Sequence, residues 1–362
     1  LKGFARALHL NIALLTGSTP QKERKLIDTA LQSGHLHILI GTHALLEERV
    51  RFLNLGLAVI DEQHRFGVAQ RAKLWQKTKN KLPHVLVMTA TPIPRTLAMT
   101  LYGDLDVSVI NELPKGRKPI KTSHLYDSAR LKINGFIKTQ LEKGRQVYIV
   151  YPLIEESAKL DLKDLQDGYE SISRAFPKLP VSIVHGKMKP DDKDFEMQRF
   201  KKGETRIMVA TTVIEVGVNV PNATVMVIEN AERFGLAQLH QLRGRVGRGG
   251  DQSYCLLVSG VKLSKEAKTR LKTMVSTTDG FVIANTDLKL RGPGDLTGTQ
   301  QSGVLDLLVA DLAEDGKILE NARKKALEIL KSDPQLNLPE NSLLKENIQA
   351  VDKKIIKWEQ IS

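Results

Sequence analysis

Short apolar runs alternate with amphipathic stretches along the first 260 residues. This alternation predicts strands separated by helices, the arrangement of parallel sheets with helices on both faces. The predicted strands of the first series are 12–15, 38–40, 57–60, 85–88 and 107–110, and those of the second series are 147–151, 183–185, 207–210, 225–228 and 254–258. We therefore expect an α/β fold with two parallel-sheet domains.

Capping signals place helices inside both series. In the first, Thr19 is a candidate N-cap, Pro20 suits the first helical turn and Gly34 follows the helix end. The second series opens with a predicted helix that stops at Gly144 and carries an apolar face. That face consists of Ile133, Phe136, Ile137 and Leu141. Residues 156–175 are polar and uneven, and we predict a surface excursion there.

Composition divides the chain further. Residues 114–120 are rich in Pro, Gly and charge, which is typical of a linker, so we expect one domain over 1–113 and another over 121–260. Helical periodicity without strands predicts a helical extension over 261–335, followed by a tail over 336–362. The chain begins with Leu1 rather than Met, and we expect that an upstream piece has been removed.

Charge narrows the class of partner. The 362 residues carry a formal net charge of +13, which favours a polyanion such as nucleic acid, although a solubilising basic surface explains the charge equally well. A single cysteine, Cys255, excludes an internal disulfide and leaves no basis for a Cys-rich zinc site. No apolar stretch reaches the roughly 18 residues of a membrane span and no signal-peptide pattern is present, so we expect a cytoplasmic protein without membrane contact.

Two adjacent acids, Asp61 and Glu62, follow the apolar run 57–60. Ligands of open parallel sheets bind at the carboxyl ends of strands. There, one carboxylate can hold Mg²⁺ and the other can orient or deprotonate an attacking water. The alternative is a solvated turn after a buried strand. His64, two residues on, favours the first interpretation because it can relay the state of a bound nucleotide.

Thr89 and Thr91 follow the next predicted strand, 85–88. Small hydroxyl residues at this edge can hydrogen-bond His64 or Glu62 and couple the site to an interdomain hinge. An N-cap before Pro92 is the plainer interpretation of the same residues.

A second group of candidate catalytic residues lies about 180 residues after Asp61. It consists of Gln241, Gly244, Arg245, Gly247 and Arg248. Arginines donated from a neighbouring domain can stabilise the negative charge that gathers during phosphoryl transfer. We expect Arg245 and Arg248, three residues apart, to lie on one helix face, and the glycines to permit close approach. The alternative is a basic helix that binds nucleic-acid backbone.

Small polar residues close several other predicted strands and are candidate contacts to DNA phosphates. They form four pairs: Gly17 and Ser18, Gly41 and Thr42, His185 and Gly186, Thr211 and Thr212. Aromatic residues make up only 5% of the chain, so backbone contact should outweigh base stacking. We therefore expect little sequence preference.

Taken in order, these motifs resemble the superfamily-two helicases of the DExH type. Residues 61–64 look like their Walker B box, 89–91 like their threonine coupling motif and 241–248 like their arginine-finger motif. Within that group, residues 89–98, 113–119 and 287–294 resemble the C-terminal part of the RecG family, with the resemblance covering residues 1 to about 335. It implies two RecA-like domains, the first N-terminally incomplete, that use ATP and Mg²⁺ to remodel branched DNA such as stalled forks and Holliday junctions.

The resemblance also implies roles for individual residues. Asp61 would hold the metal, and the nucleotide site would include Gly217, Gln241, Arg245 and Arg248. A helical-hairpin translocation motif, shared with transcription-repair coupling factors, would run from about residue 270 to residue 303. Arg291 and Gln300 would contact DNA within it, whereas the alternative is a plain helical brace.

Three parts of the resembled family lie outside this sequence: the N-terminal wedge domain, the adenine-contacting segment and the phosphate loop. No Gly-x-x-x-x-Gly-Lys-[Ser/Thr] motif occurs in the 362 residues. We therefore predict that the chain alone does not hydrolyse ATP. The alternatives are a duplex translocase like the coupling factor, a non-catalytic DNA-binding module on a helicase scaffold, and a fragment that self-associates through an exposed sheet edge.

Overall fold

The computed structural model describes residues 2–62, 83–90, 106–110, 112, 114, 116–152, 158–215, 220–291 and 315–348. The chain forms two compact units, Leu1–Thr91 and Pro92–Ser362.

The first unit contains short parallel strand pairs. Its helices and strands are α1 (Lys2–Ala7), β1 (Ile12–Leu15), α2 (Gln21–Gln32), β2 (Ile38–Gly41), β3 (Leu57–Ile60) and β4 (His84–Val87). Strand β1 pairs with β2 and β3 pairs with β4, both in parallel. A small core packs α2 against β1, with Leu15, Ile27 and Leu31 buried at its centre.

Helix α2 lies where the capping signals place it, but its start differs in detail. Pro20 occupies the N-cap position without a side-chain cap. The hydroxyl of Thr19 instead accepts a hydrogen bond from the backbone N–H of Thr16 at 2.9 Å. Thr19 therefore closes the turn after β1 and is not the N-cap that we predicted. Gly34 does follow the helix end, with a left-handed φ of 75°.

The second unit is built on a six-stranded sheet in which every pairing is parallel. Its strands are β5 (Lys121–Tyr126), β6 (Gln146–Val150), β7 (Val181–Val184), β8 (Ile207–Ala210), β9 (Ala223–Ile228) and β10 (Tyr254–Ser259). Their order across the sheet is β5-β10-β9-β6-β8-β7. The central strands β6, β8 and β9 are buried along their whole length, as expected for a parallel sheet covered on both faces.

Helices cover this sheet from both sides. They are α3 (Arg130–Glu142), α4 (Ala158–Ala175), α5 (Pro190–Lys201), α6 (Leu236–Arg243), α7 (Lys265–Ser276) and α8 (Gly280–Arg291). One apolar layer holds Ile133 of α3 and Leu165 of α4. The opposite layer holds Phe200 of α5, Leu239 of α6 and Leu271 of α7. The predicted α/β fold is confirmed.

Three local predictions were wrong. Residues 107–110 form no strand. Strand β5 was missed because Lys121, Thr122, Ser123 and His124 make it look polar, and an edge strand tolerates such residues. Residues 158–175 form the 18-residue helix α4 rather than a surface excursion. The buried Leu165 and Ile172 lie seven residues apart, two helical turns, on its inner face, and the buried Phe176 follows its end.

Beyond the sheet the described chain is helical, as predicted. Helices α7 and α8 are followed by α9 (Gly316–Ser332). Residues 349–362 of the predicted tail lie outside the described residues. Among the helices that the structure describes, none has the length and apolar character that a membrane crossing requires.

Candidate functional site

The acidic pair and the threonine motif lie at the same edge of strands β3 and β4. Asp61 and Glu62 follow β3, and Thr89 lies two residues beyond β4. The two strands pair with Ile60 opposite Val87, and the pairing continues through the N–H of Met88, which donates to the carbonyl of Ile60 at 2.8 Å. Glu62 and Thr89 therefore leave the sheet at equivalent positions. His64 and Thr91 lie outside the described residues.

Glu62 adopts a left-handed backbone conformation, with φ at 52°. For a residue with a side chain this conformation costs about 1–2 kcal/mol, and such outliers cluster at functional sites. Its N–H donates to Oδ1 of Asp61 at 2.9 Å. The turn leaves Asp61 exposed and Glu62 partly buried. The two carboxylates thus have different environments, as two different roles would require.

The donor chemistry at Asp61 suits Mg²⁺. Mg²⁺ bound with a nucleotide keeps several waters and needs only one or two protein carboxylates beside the phosphates. No cluster of three or more His, Cys, Asp or Glu side chains that could hold a metal occurs within the described residues. An exposed carboxylate such as Asp61 therefore fits a metal shared with a phosphate chain.

Two of the predicted DNA-contact pairs meet at the edge of β1 and β2. Leu15 pairs with Gly41, so Gly17 and Ser18 leave the sheet beside Thr42. The N–H of Thr42 donates to the carbonyl of Leu15 at 3.3 Å. A Cβ on Gly41 would lie only 2.1 Å from that carbonyl oxygen. Gly41 is thus required by close backbone approach whether or not it contacts a ligand.

The other two pairs meet at the edge of β7 and β8. Val184 pairs with Ala210, and the N–H of Thr211 donates to the carbonyl of Val184 at 3.1 Å. His185 and Thr212 are partly exposed and Gly186 is exposed, but Thr211 is fully buried. The side chain of Thr211 therefore does not reach the surface as a predicted contact should.

His185 is held in its neutral form. Partial burial lowers the pKa of His185, and the nearby positive charges of Lys193 and Lys187 lower it further. A neutral imidazole offers a hydrogen bond to a phosphate but no charge.

The arginine motif lies in a turn and not on a helix. Helix α6 ends at Arg243, and Gly244 is its C-cap. Gly247 then adopts a left-handed φ of 75°, which a continuing helix cannot accommodate. The prediction that Arg245 and Arg248 share a helix face was therefore wrong, because the helix ends at Gly244, before Arg245, and the left-handed Gly247 turns the chain again before Arg248.

The positive charges of Arg245 and Arg248 nevertheless both act on the same residue, Tyr148. Burial raises the pKa of Tyr148 to about 12, and the positive charges of Arg248 and Arg245 oppose that rise. Tyr148 lies on the central strand β6. Both guanidinium groups are partly buried, and Gln241 of α6 is partly buried as well. Both positive charges are thus near enough to Tyr148 to act on its hydroxyl group.

Arg243 is a further residue of this motif that the sequence analysis missed. Only 2% of it is exposed, and its Nη1 donates to the carbonyls of Met274 at 2.9 Å and Thr277 at 2.8 Å. The arginine motif is thereby joined to the end of α7. The spacing in the sequence could have indicated its burial, because Arg243 follows the buried Leu236 and Leu239 at helical spacing on the apolar face of α6.

The remaining predicted residues are only partly described. Arg291 is the last residue of α8, and the placement of its side chain is not described. Gly217 and Gln300 lie outside the described residues.

Three family models match successive parts of the chain. Residues 1–100 match the DEAD/DEAH box helicase model, and residues 131–250 match the helicase conserved C-terminal domain. Residues 277–362 match domain 3, C-terminal, of ATP-dependent DNA helicase RecG. The three helicase motifs lie within the first two matches, and the predicted helical extension lies within the third from residue 277 onwards.

Proteins named ATP-dependent DNA helicase RecG are similar over most of the chain. A Synechocystis protein is 54% identical over 337 residues, which is 93% of this chain and 40% of that protein. An Aquifex aeolicus protein is 51% identical over 353 residues, which is 96% of this chain and 43% of that protein. The chain thus spans less than half the length of these two relatives.

A solved structure of RecG bound to a three-way DNA junction is similar in fold and sequence. It has 45% sequence identity and a TM-score of 0.65, and the match covers 88% of this chain and 42% of that one. The resemblance to RecG predicted from the motifs is confirmed.

Proposed function

This chain belongs to the RecG family of ATP-dependent DNA helicases, and on that premise we propose that it forms the motor part of an enzyme that remodels branched DNA. The observation that carries the proposal is the 54% identity over 93% of the chain to a protein named RecG. The similar structure is bound to a three-way DNA junction, so we extend that class of substrate to this chain, including stalled forks and Holliday junctions.

We assign ATP hydrolysis to two groups of residues. Asp61 would hold Mg²⁺ together with the nucleotide phosphates, and Glu62 would orient and deprotonate the attacking water. Arg245 and Arg248 would stabilise the negative charge that develops on the transferred phosphoryl group, with Gln241 and Gly217 completing the nucleotide contacts. The different environments of the two acids and the convergence of the two arginines near Tyr148 support these roles.

Coupling to DNA movement would pass through two routes. Thr89, Thr91 and His64 would relay the nucleotide state from the acidic pair. Arg243 ties the arginine motif to α7, so motion of that motif would be carried into the helical hairpin of α7 and α8. Arg291, at the end of α8, and Gln300 would contact DNA.

The chain would bind DNA mainly through the phosphates of its backbone. Partly or fully exposed residues at strand ends supply hydroxyls, amides and a neutral imidazole: Gly17, Ser18, Gly41, Thr42, His185, Gly186 and Thr212. Of the fourth pair, the buried Thr211 could contribute only as support for Thr212. These contacts and the net charge of +13 carry no base readout, so we expect binding with little sequence preference.

The chain alone would bind DNA without hydrolysing ATP. Its sequence has no phosphate-loop motif, and a Lys with cradling backbone amides is needed to hold the β- and γ-phosphates. We propose that a phosphate-loop segment and a wedge domain act in cis with this chain, as expected from the greater length of its relatives. We also propose that the protein works in the cytoplasm.

Salt-dependent binding to single-stranded, duplex and branched DNA, with and without Mg-ATP, tests this function. We expect steep salt dependence and a preference for duplex or branched DNA that ATP does not change. Replacing Thr42 and Thr212 together by Val should weaken binding about fivefold, because each hydroxyl contact contributes a modest net hydrogen bond. Thr139→Val is the matched control, since that hydroxyl lies on α3 and bonds the carbonyl of Gly135. Absence of binding at low salt would refute the proposal.

A further inference from the structure

The residues just before β5 dock against the loop that carries the arginine motif. The Nε of Arg117 donates to the carbonyl of Gly247 at 2.7 Å, across 130 positions of sequence. Two residues later, the carbonyl of Pro119 accepts from Nε2 of Gln252 at 2.8 Å. Arg117 to Ile120 are therefore part of the second unit, although their composition suggested a free linker.

Gly247 is confined on this side by Ile120. A Cβ on Gly247 would lie 2.9 Å from Cγ1 of Ile120, and its φ of 75° is one that other residues rarely adopt. On the other side of the loop, a Cβ on Gly249 would lie 2.8 Å from the carbonyl oxygen of Pro221. The loop thus passes through a narrow space, and its path depends on the contacts that line that space.

Arg117 is suited to hold this path. It is partly buried, and its own backbone is fixed by a turn in which its N–H donates to the carbonyl of Pro114 at 3.2 Å. Gly116 permits that turn with a φ of 83°. A charged donor to a carbonyl makes a stronger hydrogen bond than a neutral donor. The acceptor is the one left-handed residue between Arg245 and Arg248.

We propose that Arg117 is a positioning residue for the arginine pair. By holding the carbonyl of Gly247 it fixes the left-handed turn, and that turn sets the direction in which Arg245 and Arg248 point. The inference rests on the proposed role of these two arginines, and it adds a third arginine that acts through the backbone and does not touch the nucleotide.

Nuclear magnetic resonance of the chain tests this role without DNA or ATP. The reporters are the backbone amides of Arg245 and Val246, which donate to the carbonyls of Leu242 and Arg243, and the side-chain Nε–H signals of Arg245 and Arg248. In Arg117→Ala, we expect the two amides to exchange with solvent about tenfold faster, since one charge-assisted hydrogen bond is lost. The Nε–H signals of both arginines should shift.

Two further variants separate positioning from a general effect on stability. Arg117→Lys keeps a charged donor and should restore most of the protection and both arginine signals. Arg174→Ala removes an exposed arginine from α4 and should leave every reporter unchanged. Exchange of the buried amides of β9 should be the same in all variants.

Two results would overturn the inference. One is an Arg117→Ala variant whose amides and arginine signals match the parent chain. The other is equal loosening of β9 and the loop in both Arg117 variants, which would mean that Arg117 only supports the fold. Because no readout involves DNA, a chain that fails to bind DNA but shows the expected loop changes would contradict the proposed function and leave the positioning role intact.

Discussion

The guanidinium of Arg243 donates to the carbonyl oxygen of Thr277 at 2.8 Å, and the same Nη1 donates to Met274 at 2.9 Å. The last carbonyls of a helix have no partner within that helix, so Arg243 supplies partners at the end of α7. Its Nη2 also lies 3.2 Å from Nδ1 of His240. A buried charge therefore joins the arginine-motif helix α6 to the first helix of the hairpin, and α6 cannot shift without disturbing the end of α7.

Replacing Arg243 by Ala should lower the free energy of unfolding of the second unit by about 3 kcal/mol, because the buried carbonyl of Met274 and the partly buried carbonyl of Thr277 lose their donor and a cavity forms. Arg243→Lys should cost less, since a single ammonium can satisfy part of the site. Native-state hydrogen exchange of β9 amides measures the change. The exposed Arg174→Ala is the control and should stay within about 0.5 kcal/mol of the parent. Equal stability of the Arg243→Ala and Arg174→Ala variants would show that the contact contributes nothing.

His240 should make the second unit less stable in mild acid. Burial, together with the nearby charge of Arg243, lowers the pKa of His240 from 6.5 to about 4, although Asp279 opposes the shift. The folded state therefore favours the neutral ring, and below pH 6.5 the unfolded state binds the proton first. Stability is fully present above pH 6.5 and falls as pH drops towards 4, with a loss on the order of 2 kcal/mol at pH 5.

The variant His240→Asn isolates this effect, since it keeps a polar side chain that does not titrate. The measurement is the difference in β9 hydrogen-exchange stability between pH 8 and pH 5 in the two proteins. The parent chain should lose more stability than the variant over that interval. The same loss in both would place the acid sensitivity in other groups.

Gly41 and Gly17 are both predicted DNA contacts, yet only one is needed for folding. A Cβ on Gly41 would lie 2.1 Å from the carbonyl oxygen of Leu15, whereas a Cβ on Gly17 would meet no atom within 4 Å. Gly41→Ala should destabilise the first unit by about 3 kcal/mol, and Gly17→Ala should leave its stability nearly unchanged. Hydrogen exchange in α2 reports the first unit. Comparable exchange in the two variants would contradict the close approach at Gly41.

The strands that were predicted well are those whose residues are apolar without interruption. The run 207–210 is β8 itself, which is buried along its whole length and so leaves no place for polar residues. The run 57–60 is β3, which is equally apolar although Leu57 and Val59 are exposed. Strand β5 lacks that signature, since its position at the sheet edge removes the need for it. Helix α4 was hidden for a related reason: its sequence holds many charged residues, of which Asp167, Glu170 and Arg174 are exposed, and they mask the spacing of Leu165 and Ile172.

The positions of the site residues were predictable from the sequence only where the parallel pairing of strands determines them. Asp61 and Thr89 lie at one edge because their strands are paired in register. The turn after α6 was not predictable from spacing alone, since a separation of three residues is also a helical repeat. Arg243 was overlooked because an arginine is expected at the surface, and only the fold shows the two carbonyls that keep it buried.

The last prediction concerns the chemistry of the chain alone. We expect no DNA-stimulated ATP turnover, because in the proposed roles Asp61, Glu62 and both arginines would act on phosphates that only a phosphate loop can hold in place. The measurement is phosphate release with and without branched DNA, with Glu62→Gln as the matched control because it removes the proposed base but keeps a side chain of similar size. The parent chain and this variant should give the same background. Turnover by the parent chain that DNA raises and Glu62→Gln abolishes would show that Glu62 works without the motif, and the need for a phosphate-loop segment in cis would then be wrong while the assignment of the base would stand.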